Sequence, residues 1–430
     1  MMVHRVAVLA HGHPAVSPGG AEIAAHTLYR ALRRLGNVEA LHLSCVPQGH
    51  PPVELNGNAE RECFVEAGIL DPLHLSNLDP ASLKPLLDIL RDFEPDTVHL
   101  HHVLGFGADA LFALRGELPG ASIVMTLHEF VPICHRQGQM VKAADMAPCL
   151  RAAPEDCGSC FPDIAPVRFL RREHSLRALF SQVDRFIAPS AFLAGRYAAW
   201  GLPPDRIAVL ENAVAPAIAA PKRPGLPTME RGRFAFFGQI TPYKGLDVLL
   251  EAVRLLPEQE WRGCSLQIHG GGLDRQPADF RRNMLALLEK TTERASFHGP
   301  YENADLPRLM AEVDWVVVPS IWWENSPVVI QEAFRSGCPV IAGDIGGMAE
   351  KVRDGVDGLT FRTGDPSALA TCMMAARSAD LWERLRGNIV APVSDLATAR
   401  AHLRLYTELK GASPAAAEAR RYVSGEAAAG

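Results

Sequence analysis

The sequence predicts an α/β protein built from two parallel-sheet domains. Short apolar runs alternate with helical patterns along most of the chain, the rhythm that strand–helix–strand crossovers impose. The 430 residues exceed what one ordinary hydrophobic core organises and suggest two domains of roughly 200 residues each. A Pro- and Ala-rich stretch, Ala213–Glu230, divides one such series from a second.

The elements are expected in this order. Arg5–Ala10 is an apolar run that reads as a first buried strand; it is too short for a signal peptide. A loop over His11–Gly20 follows, and Ala21–Leu35 carries a helical pattern. Further strands are expected at Thr97–Leu100, Ser122–Leu127, Arg185–Ala188 and Ile207–Leu210, with helical stretches between them as parallel crossovers require. The second series begins at Arg233–Phe237 and continues with Ser265–His269, Ala295–His298, Trp315–Val318, Val340–Ala342 and Gly358–Phe361. A helical pattern at Leu396–Leu409 comes last. The expected boundaries are 1–214 for the first domain, 215–230 for a linker, 231–394 for the second domain and 395–411 for a terminal helix. The Ala-, Gly- and Glu-rich tail 412–430 is expected to be disordered.

Composition narrows the class of function. Hydrophobic residues make up 48% and charged residues 21%, which places the chain among soluble globular proteins. A net charge of −6 argues against general nucleic-acid affinity. No apolar run reaches the roughly 18 residues that a membrane-spanning helix needs. Nine cysteines, an odd number, point to reduced thiols and a cytoplasmic setting.

Two segments carry the chemistry. Glu324-Asn-Ser-Pro-Val-Val-Ile-Gln-Glu332 sets two carboxylates eight positions apart, and Phe236-Phe-Gly-Gln-Ile-Thr-Pro-Tyr-Lys244-Gly245 lies about eighty residues upstream. A diphosphate needs a cation and free backbone N–H groups. Lys244 supplies the cation, and a turn opening a helix at about Ser326 supplies the N–H groups of Asn325, Ser326 and Val328, with Pro327, which has no N–H, shaping the turn. Glu324 and Glu332 supply acceptors for the hydroxyls of a sugar and a ribose. On a helix, eight residues span roughly 12 Å, enough to hold one group at each end. The bland alternatives are a solvated lysine, a glutamate that favours a helix dipole, and an exposed helical glutamate.

At these residues the chain resembles family 4 of the glycosyltransferases, a retaining group with the two-domain GT-B fold. Its hallmark is Glu-x7-Glu preceded by Gly-Arg/Gln-x-x-x-x-Lys-Gly. Glu324, Glu332 and Lys244 match, Gly238 opens the second motif, and Gln239 stands where many members have arginine. The resemblance runs from about Val3 to about Ala370. It implies two Rossmann-like α/β domains facing a cleft, with a C-terminal helix crossing back to the first domain. It also implies transfer of a sugar from a nucleotide-diphosphate sugar to a carbohydrate or glycolipid acceptor. The second domain then binds the donor and the first the acceptor. Glu332 holds the ribose hydroxyls, Glu324 contacts the donor sugar, and Lys244 stabilises the departing diphosphate. Cell-surface polysaccharide or glycolipid assembly is the setting the resemblance suggests. The alternatives are a nucleotide-sugar epimerase, a phosphorylase, or a catalytically silent scaffold of the same fold.

Other motifs also follow expected strands, where open α/β sheets bind ligands. Gly19-Gly20-Ala-Glu22 lacks the dinucleotide fingerprint Gly-x-Gly-x-x-Gly; the family implies contact with the donor phosphate or sugar, and a plain tight turn is the alternative. His128 ends Met-Thr-Leu-His, where the family places a histidine near the reacting centre, a structural histidine being the alternative; Glu129 orients it, meets the acceptor or is a simple loop carboxylate. His99 and His101 alternate onto one side of their strand and His102 onto the other, and all three are expected to line the acceptor site. Cys134, Cys149, Cys157 and Cys160 carry a knuckle-like Cys-x-x-Cys and are read as a candidate site for structural zinc or a similar metal, with four unlinked thiols or a redox sensor as the alternatives. No Asp-x-Asp motif stands out, so no catalytic divalent ion or other cofactor is expected. Arg168–Phe180 is a basic amphipathic pattern that suits peripheral contact with the inner face of a membrane, or one solvated and one core face. Gly346-Gly347 either approaches a nucleotide or forms a turn.

Overall fold

The computed structural model describes residues 3–17, 19–53, 61–213 and 231–412. The chain divides into two compact units, Met1–Ala215 with Val393–Gly430, and Pro216–Pro392. The linker expected at 215–230, and the expected tail beyond residue 412, lie outside the described residues.

The first unit holds seven strands: β1 (His4–Ala10), β2 (Val38–Val46), β3 (Glu62–Glu66), β4 (Thr97–Leu100), β5 (Ser122–Thr126), β6 (Arg185–Ala188) and β7 (Ile207–Val209). All pair in parallel, in the order β3-β2-β1-β4-β5-β6-β7. Helices cover the sheet, so β1 and β4 are buried almost throughout and read as unbroken apolar runs. The strands β2 and β3 are additions to the sequence reading. Buried His42 and Ser44 interrupt the apolar run of β2, and β3 carries a glutamate at each end on the sheet edge. The first helix runs Gly20–Arg33, and Ser190 caps the helix Ala191–Trp200 by accepting from Leu193 N–H.

The terminal helix, Asp395–Ala412, belongs to the first unit although it follows the second in sequence. Ala399, Tyr406 and Leu409 join Leu28 and Leu32 in one core. Arg34 pairs with Asp395 at 2.5 Å and Lys410 with Asp96 at 2.6 Å.

The second unit holds β8 (Arg233–Phe237), β9 (Ser265–His269), β10 (Ala295–Gly299), β11 (Trp315–Val318), β12 (Val340–Gly343) and β13 (Gly358–Phe361). The order is β10-β9-β8-β11-β12-β13, again parallel throughout. Alternate residues of β8 serve opposite cores: Phe234 and Phe236 face one, Ala235 and Phe237 the other. Trp315 and Val317 of β11 join the first of these, and Val316 and Val318 the second. This double burial makes the strands legible as apolar runs without polar alternation.

Strand order locates a site in each unit. In the first, β1 lies between β2 and β4; in the second, β8 lies between β9 and β11. At such a switch point the loops leaving the two central strands diverge and open a crevice beyond their carboxyl ends.

Candidate active site

In the second unit the loops after β8 and β11 carry the two sequence motifs. Gly238 leaves β8 at φ 148° and donates its N–H to His269 O at 3.0 Å. Ile240 is buried, whereas Gln239 is exposed. The loop then turns at Thr241–Lys244 and enters the helix Leu246–Leu255 through Gly245. Gly245 has φ 67°, and a Cβ there would stand 2.0 Å from Pro319 O. Only glycine lets the two loops touch, and Ile321 N–H seals the contact by donating to Tyr243 O at 2.9 Å.

That contact brings Lys244 to Glu324. Lys244 Nζ lies 2.6 Å from Glu324 Oε1, and the same oxygen accepts from Ser320 Oγ at 2.8 Å and Trp322 Nε1 at 3.0 Å. Lys244 Nζ also lies 5.8 Å from the centroid of the Trp322 ring. Burial pushes the Glu324 carboxyl upward, but Lys244, Ser320 and Trp322 together outweigh it and hold it below the usual range. Glu324 is therefore a buried carboxylate with a fixed orientation.

The helix carrying Glu332 spans Val328–Arg335 and follows Pro327, two residues later than the sequence suggested. Glu324, Asn325, Ser326 and Pro327 precede it, so only the last four of the eight steps from Glu324 to Glu332 are helical. The 12 Å helical span expected for the pair therefore does not apply. The half-buried Glu332 carboxyl is pushed up by burial, with Arg335 opposing. Gly347 N–H donates to Glu324 O at 2.6 Å. A Cβ at Gly346 or Gly347 would fall 2.8 Å from Glu324 O or 2.0 Å from Asn325 O. These glycines pack the helix Gly346–Lys351 onto the Glu324–Asn325 backbone and fix the loop from behind.

In the first unit the loops after β1, β4 and β5 assemble a histidine-rich group. His11 Nε2 meets Glu22 Oε1 at 3.0 Å, and the His11 and His102 rings lie 4.6 Å apart. Burial raises the Glu22 carboxyl, and His11 outweighs it to leave the carboxyl lowered. A Cβ at Gly19 would fall 2.4 Å from Glu22 Oε2, whereas a Cβ at Gly20 would meet nothing within 4 Å. Gly19 is needed for Glu22 to fold back; Gly20 is not sterically required by the protein.

The strand alternation expected at β4 is observed. His101 Nδ1 lies 2.9 Å from His128 Nε2, while His102 points away and meets Glu129 Oε1 at 2.7 Å. Leu104 N–H donates to His102 Nδ1, so His102 Nε2 carries the proton and donates to Glu129. Glu129 is thus tied to His102 rather than orienting His128. Burial pushes His128 down to about 3, with the neighbouring imidazoles of His102 and His11 adding to the shift. His99 departs from the expected lining role: it is fully buried, with Nδ1 2.7 Å from Tyr406 Oη and Nε2 2.7 Å from Thr126 Oγ1. Both nitrogens are used internally, and the residue anchors the terminal helix.

A second cluster was not anticipated. Glu62 Oε2 lies 3.0 Å from His13 Nε2 and Oε1 3.4 Å from His26 Nε2, with His42 alongside. Among the described residues, His13, His42 and Glu62 alone form a group of three or more His, Cys, Asp or Glu ligand atoms lying within 4.8 Å of one another. Ala15 N–H donates to His13 Nδ1 at 3.1 Å, however, so the proton sits on Nε2 and points at Glu62. The arrangement is a hydrogen-bonded histidine–carboxylate network beneath the first helix. Three of its members are scattered histidines with no spacing signal, which is why the sequence did not disclose it.

The four cysteines come together around a single cavity of about 240 Å³, also lined by Arg136 and Phe161. Cys157 and Cys160 lie on the helix Pro154–Cys160. The basic helix is observed at Pro166–Phe180, but Arg172 is not on a solvated face. It is buried and donates to the carbonyls of Val131, Pro132 and Ile133. Among the described residues no helix is long and apolar enough to cross a membrane.

Comparison with known proteins bears on the family and the fold. Residues 18–217 match the profile described as Glycosyltransferase Family 4, and residues 231–377 that described as Glycosyl transferases group 1. The chain is 28% identical over 407 residues to a D-inositol 3-phosphate glycosyltransferase of Xylanimonas cellulosilytica, covering 89% of this chain and 90% of that one. A Nocardia farcinica protein of the same name is 33% identical over 206 residues, 44% of each chain. Sucrose-phosphate synthase of Thermosynechococcus elongatus shares the fold with TM-score 0.68 at 20% identity, covering 95% of this chain and all of that one. Anabaena HepE, solved in complex with UDP and glucose, superposes with TM-score 0.62 at 17% identity, over 94% of this chain and all of that one. The two parallel-sheet units have the GT-B fold, and the chain is a glycosyltransferase of family 4.

Proposed function

We propose that the protein is a retaining transferase that moves a hexose from a nucleotide-diphosphate sugar to an acceptor hydroxyl. The observation that carries this is the Lys244–Glu324 pair at the carboxyl ends of β8 and β11, beside the start of the helix that holds Glu332. Lys244 and the N–H groups around Val328 stabilise charge on the departing diphosphate, the main electrostatic task of such a transfer. Gly238 and Gln239 line the same loop. Glu324 receives the hydroxyls of the donor sugar and Glu332 those of the ribose. The raised Glu332 carboxyl suits a group whose partners arrive with the ligand. The first unit binds the acceptor, with His128 at the reacting sugar and Gly19 and Gly20 offering backbone to the donor. The anomeric carbon–phosphate bond breaks, the acceptor oxygen bonds to the same carbon on the same face, and the acceptor proton passes to the leaving phosphate.

HepE was solved with UDP, and a starch synthase of the same fold with ADP, so the choice of base is the first thing to test. The acceptor is a carbohydrate or glycolipid, and polyol phosphates such as inositol phosphate belong in the acceptor panel because of the relatives' activity. Exposed Val167 and Leu170 beside exposed Arg168 and Arg171 suit peripheral contact with an anionic membrane carrying such a lipid.

The deciding experiment is thermal stabilisation by UDP, GDP and ADP, with Glu332→Ala and Lys244→Ala as controls. At about 100 times its dissociation constant, one nucleotide should stabilise the protein by roughly 2.7 kcal/mol. Loss of that effect in both variants supports the donor site. No shift with any nucleotide points to a silent scaffold. Turnover of the sugar nucleotide without acceptor indicates an epimerase, and dependence on free phosphate with an oligosaccharide a phosphorylase.

A further inference from the structure

Four of the nine cysteines fall within 27 residues, in the pattern Cys134-x14-Cys149-x7-Cys157-x2-Cys160. Three separate segments deliver them to one cavity. Cys134 closes a turn by donating its N–H to Phe130 O at 2.7 Å. Cys149 N–H reaches Met140 O at 2.6 Å, and Cys157 and Cys160 project from one short helix. Separate backbone hydrogen bonds thus fix each thiol at the rim of the same space, and none of the four is in a disulfide.

The spacing between the sulfurs selects the occupant. A single tetrahedral zinc holds each sulfur at about 2.3 Å and so draws its four sulfurs to roughly 3.8 Å of one another. Among the described residues no three of these sulfurs lie within 4.8 Å of one another, and all four cysteines line one cavity of about 240 Å³. A cuboidal four-iron core needs this opposite arrangement: by similar metal–sulfur bond lengths it spreads four terminal thiolates to roughly 6 Å and fills the space between.

The surroundings expect negative charge. Arg136 lines the cavity, and its Nη1 is buried with no hydrogen-bond partner. Arg172 is buried within electrostatic reach of Cys134 and Cys157, and its Nε likewise has no partner. Lys142 and Asp156 complete the charged lining. One buried guanidinium, that of Arg172, and a second half-buried one, that of Arg136, beside four neutral thiols are a poor electrostatic fit; beside four thiolates on a metal core that carries net negative charge, they are counter-ions.

We propose that Cys134, Cys149, Cys157 and Cys160 bind a four-iron, four-sulfide cluster, which pins the segment following His128 in the first unit. The inference is independent of the transfer reaction and does not rest on it.

The test is metal and acid-labile sulfide analysis of the full chain, purified without oxygen and also after reconstitution with ferrous iron and sulfide. About four irons and four sulfides per chain, with broad visible charge-transfer absorption, are expected. Cys157→Ser and Cys134→Ser should lose at least half of the iron, while Cys372→Ser, outside the cavity, should keep all of it. One zinc per chain, lost in the same two variants, would overturn the cluster in favour of a mononuclear site. No metal in the reconstituted wild-type protein would overturn it as well, and that measurement does not depend on any variant folding.

Discussion

Lys244 Nζ sits 2.6 Å from Glu324 Oε1, so the cation of the Gly238–Gly245 loop already has an anionic partner. On the proposed reading, a donor diphosphate shares the lysine with a carboxylate that Ser320 and Trp322 also hold in place. The pair is a preset device: the carboxylate aims the ammonium, and the ammonium keeps the buried carboxylate ionised.

Lys244→Met should destabilise the second unit by about 1–3 kcal/mol at pH 7, because it strands a buried carboxylate. The lysine is about one-third exposed, which keeps the cost below that of a fully buried pair. The sign with pH follows from the shifts. In the wild type the Glu324 carboxyl is lowered, so its contribution is full above the ordinary value of about 4.3 and is lost as pH falls through the folded value. Without Lys244, burial dominates and the shift turns upward, so acid relieves the variant. Chemical denaturation at pH 7 and pH 5 should show a smaller deficit at pH 5. An equal deficit at both would refute the coupling.

The glycines make opposite predictions. Gly245→Ala places a Cβ 2.0 Å from Pro319 O at a positive φ, and Gly347→Ala places one 2.0 Å from Asn325 O. Each should lower stability by about 1–3 kcal/mol and weaken nucleotide binding by moving the loop that carries Lys244 or Glu324. Gly20→Ala meets nothing within 4 Å and should leave the melting temperature level or slightly raised. If a ligand approaches that backbone, its affinity should still fall. Equal stability losses in all three variants would show that the contact geometry is not what matters.

The motif-bearing loops leave the carboxyl ends of the strands expected from the sequence, because parallel strands bury both faces and so announce themselves as apolar runs. The loops after β1, β5, β8 and β11 then inherit the carboxyl-end positions. What was not legible depends on long-range pairing. Glu129 sits next to His128 in sequence yet serves His102, because adjacent residues leave a strand on opposite sides. Gly346 and Gly347 act on the backbone of Glu324 and Asn325, about twenty residues upstream, and no local pattern encodes that contact. Arg172 keeps the spacing of a surface helix while its side chain ties down three carbonyls. The strand β2 was hidden because its buried His42 and Ser44 break the apolar run.

Acid should unfold the first unit before the second. In the first unit, burial is the leading cause that pushes His42 and His128 down to about 3 and His402 to about 4, and it holds His99 and His101 far below the usual value. The second unit has His269, lowered to about 4. A histidine lowered by folding takes up its proton when the chain unfolds, so stability is full above about pH 6.5 and is lost as pH falls below it. Each such group costs about 1.4 kcal/mol per pH unit in that range. Asp247 and Glu332 in the second unit are raised by burial and work in the opposite direction. Calorimetry of the whole chain at pH 7.5 and 5.5 should show one transition moving down strongly and another little. Equal movement of both would overturn the assignment.

His128 should act as a neutral imidazole. Its pKa of about 3 leaves it uncharged throughout the range in which the protein is stable, so it neither repels a cationic transition state nor delivers a proton by titration. Its contribution is then a directed hydrogen bond, oriented through the His101 contact at 2.9 Å. His128→Ala should lower kcat/KM about 100-fold, the usual cost of one aimed donor or acceptor. His128→Asn, which retains a polar group near the same place, should recover part of that loss. Across pH 5.5–8.5 the shape of the profile should be the same in wild type and both variants. A limb near pH 6–7 that vanishes in His128→Asn would mean that the imidazole titrates in the working enzyme, and the neutral-imidazole assignment would fail.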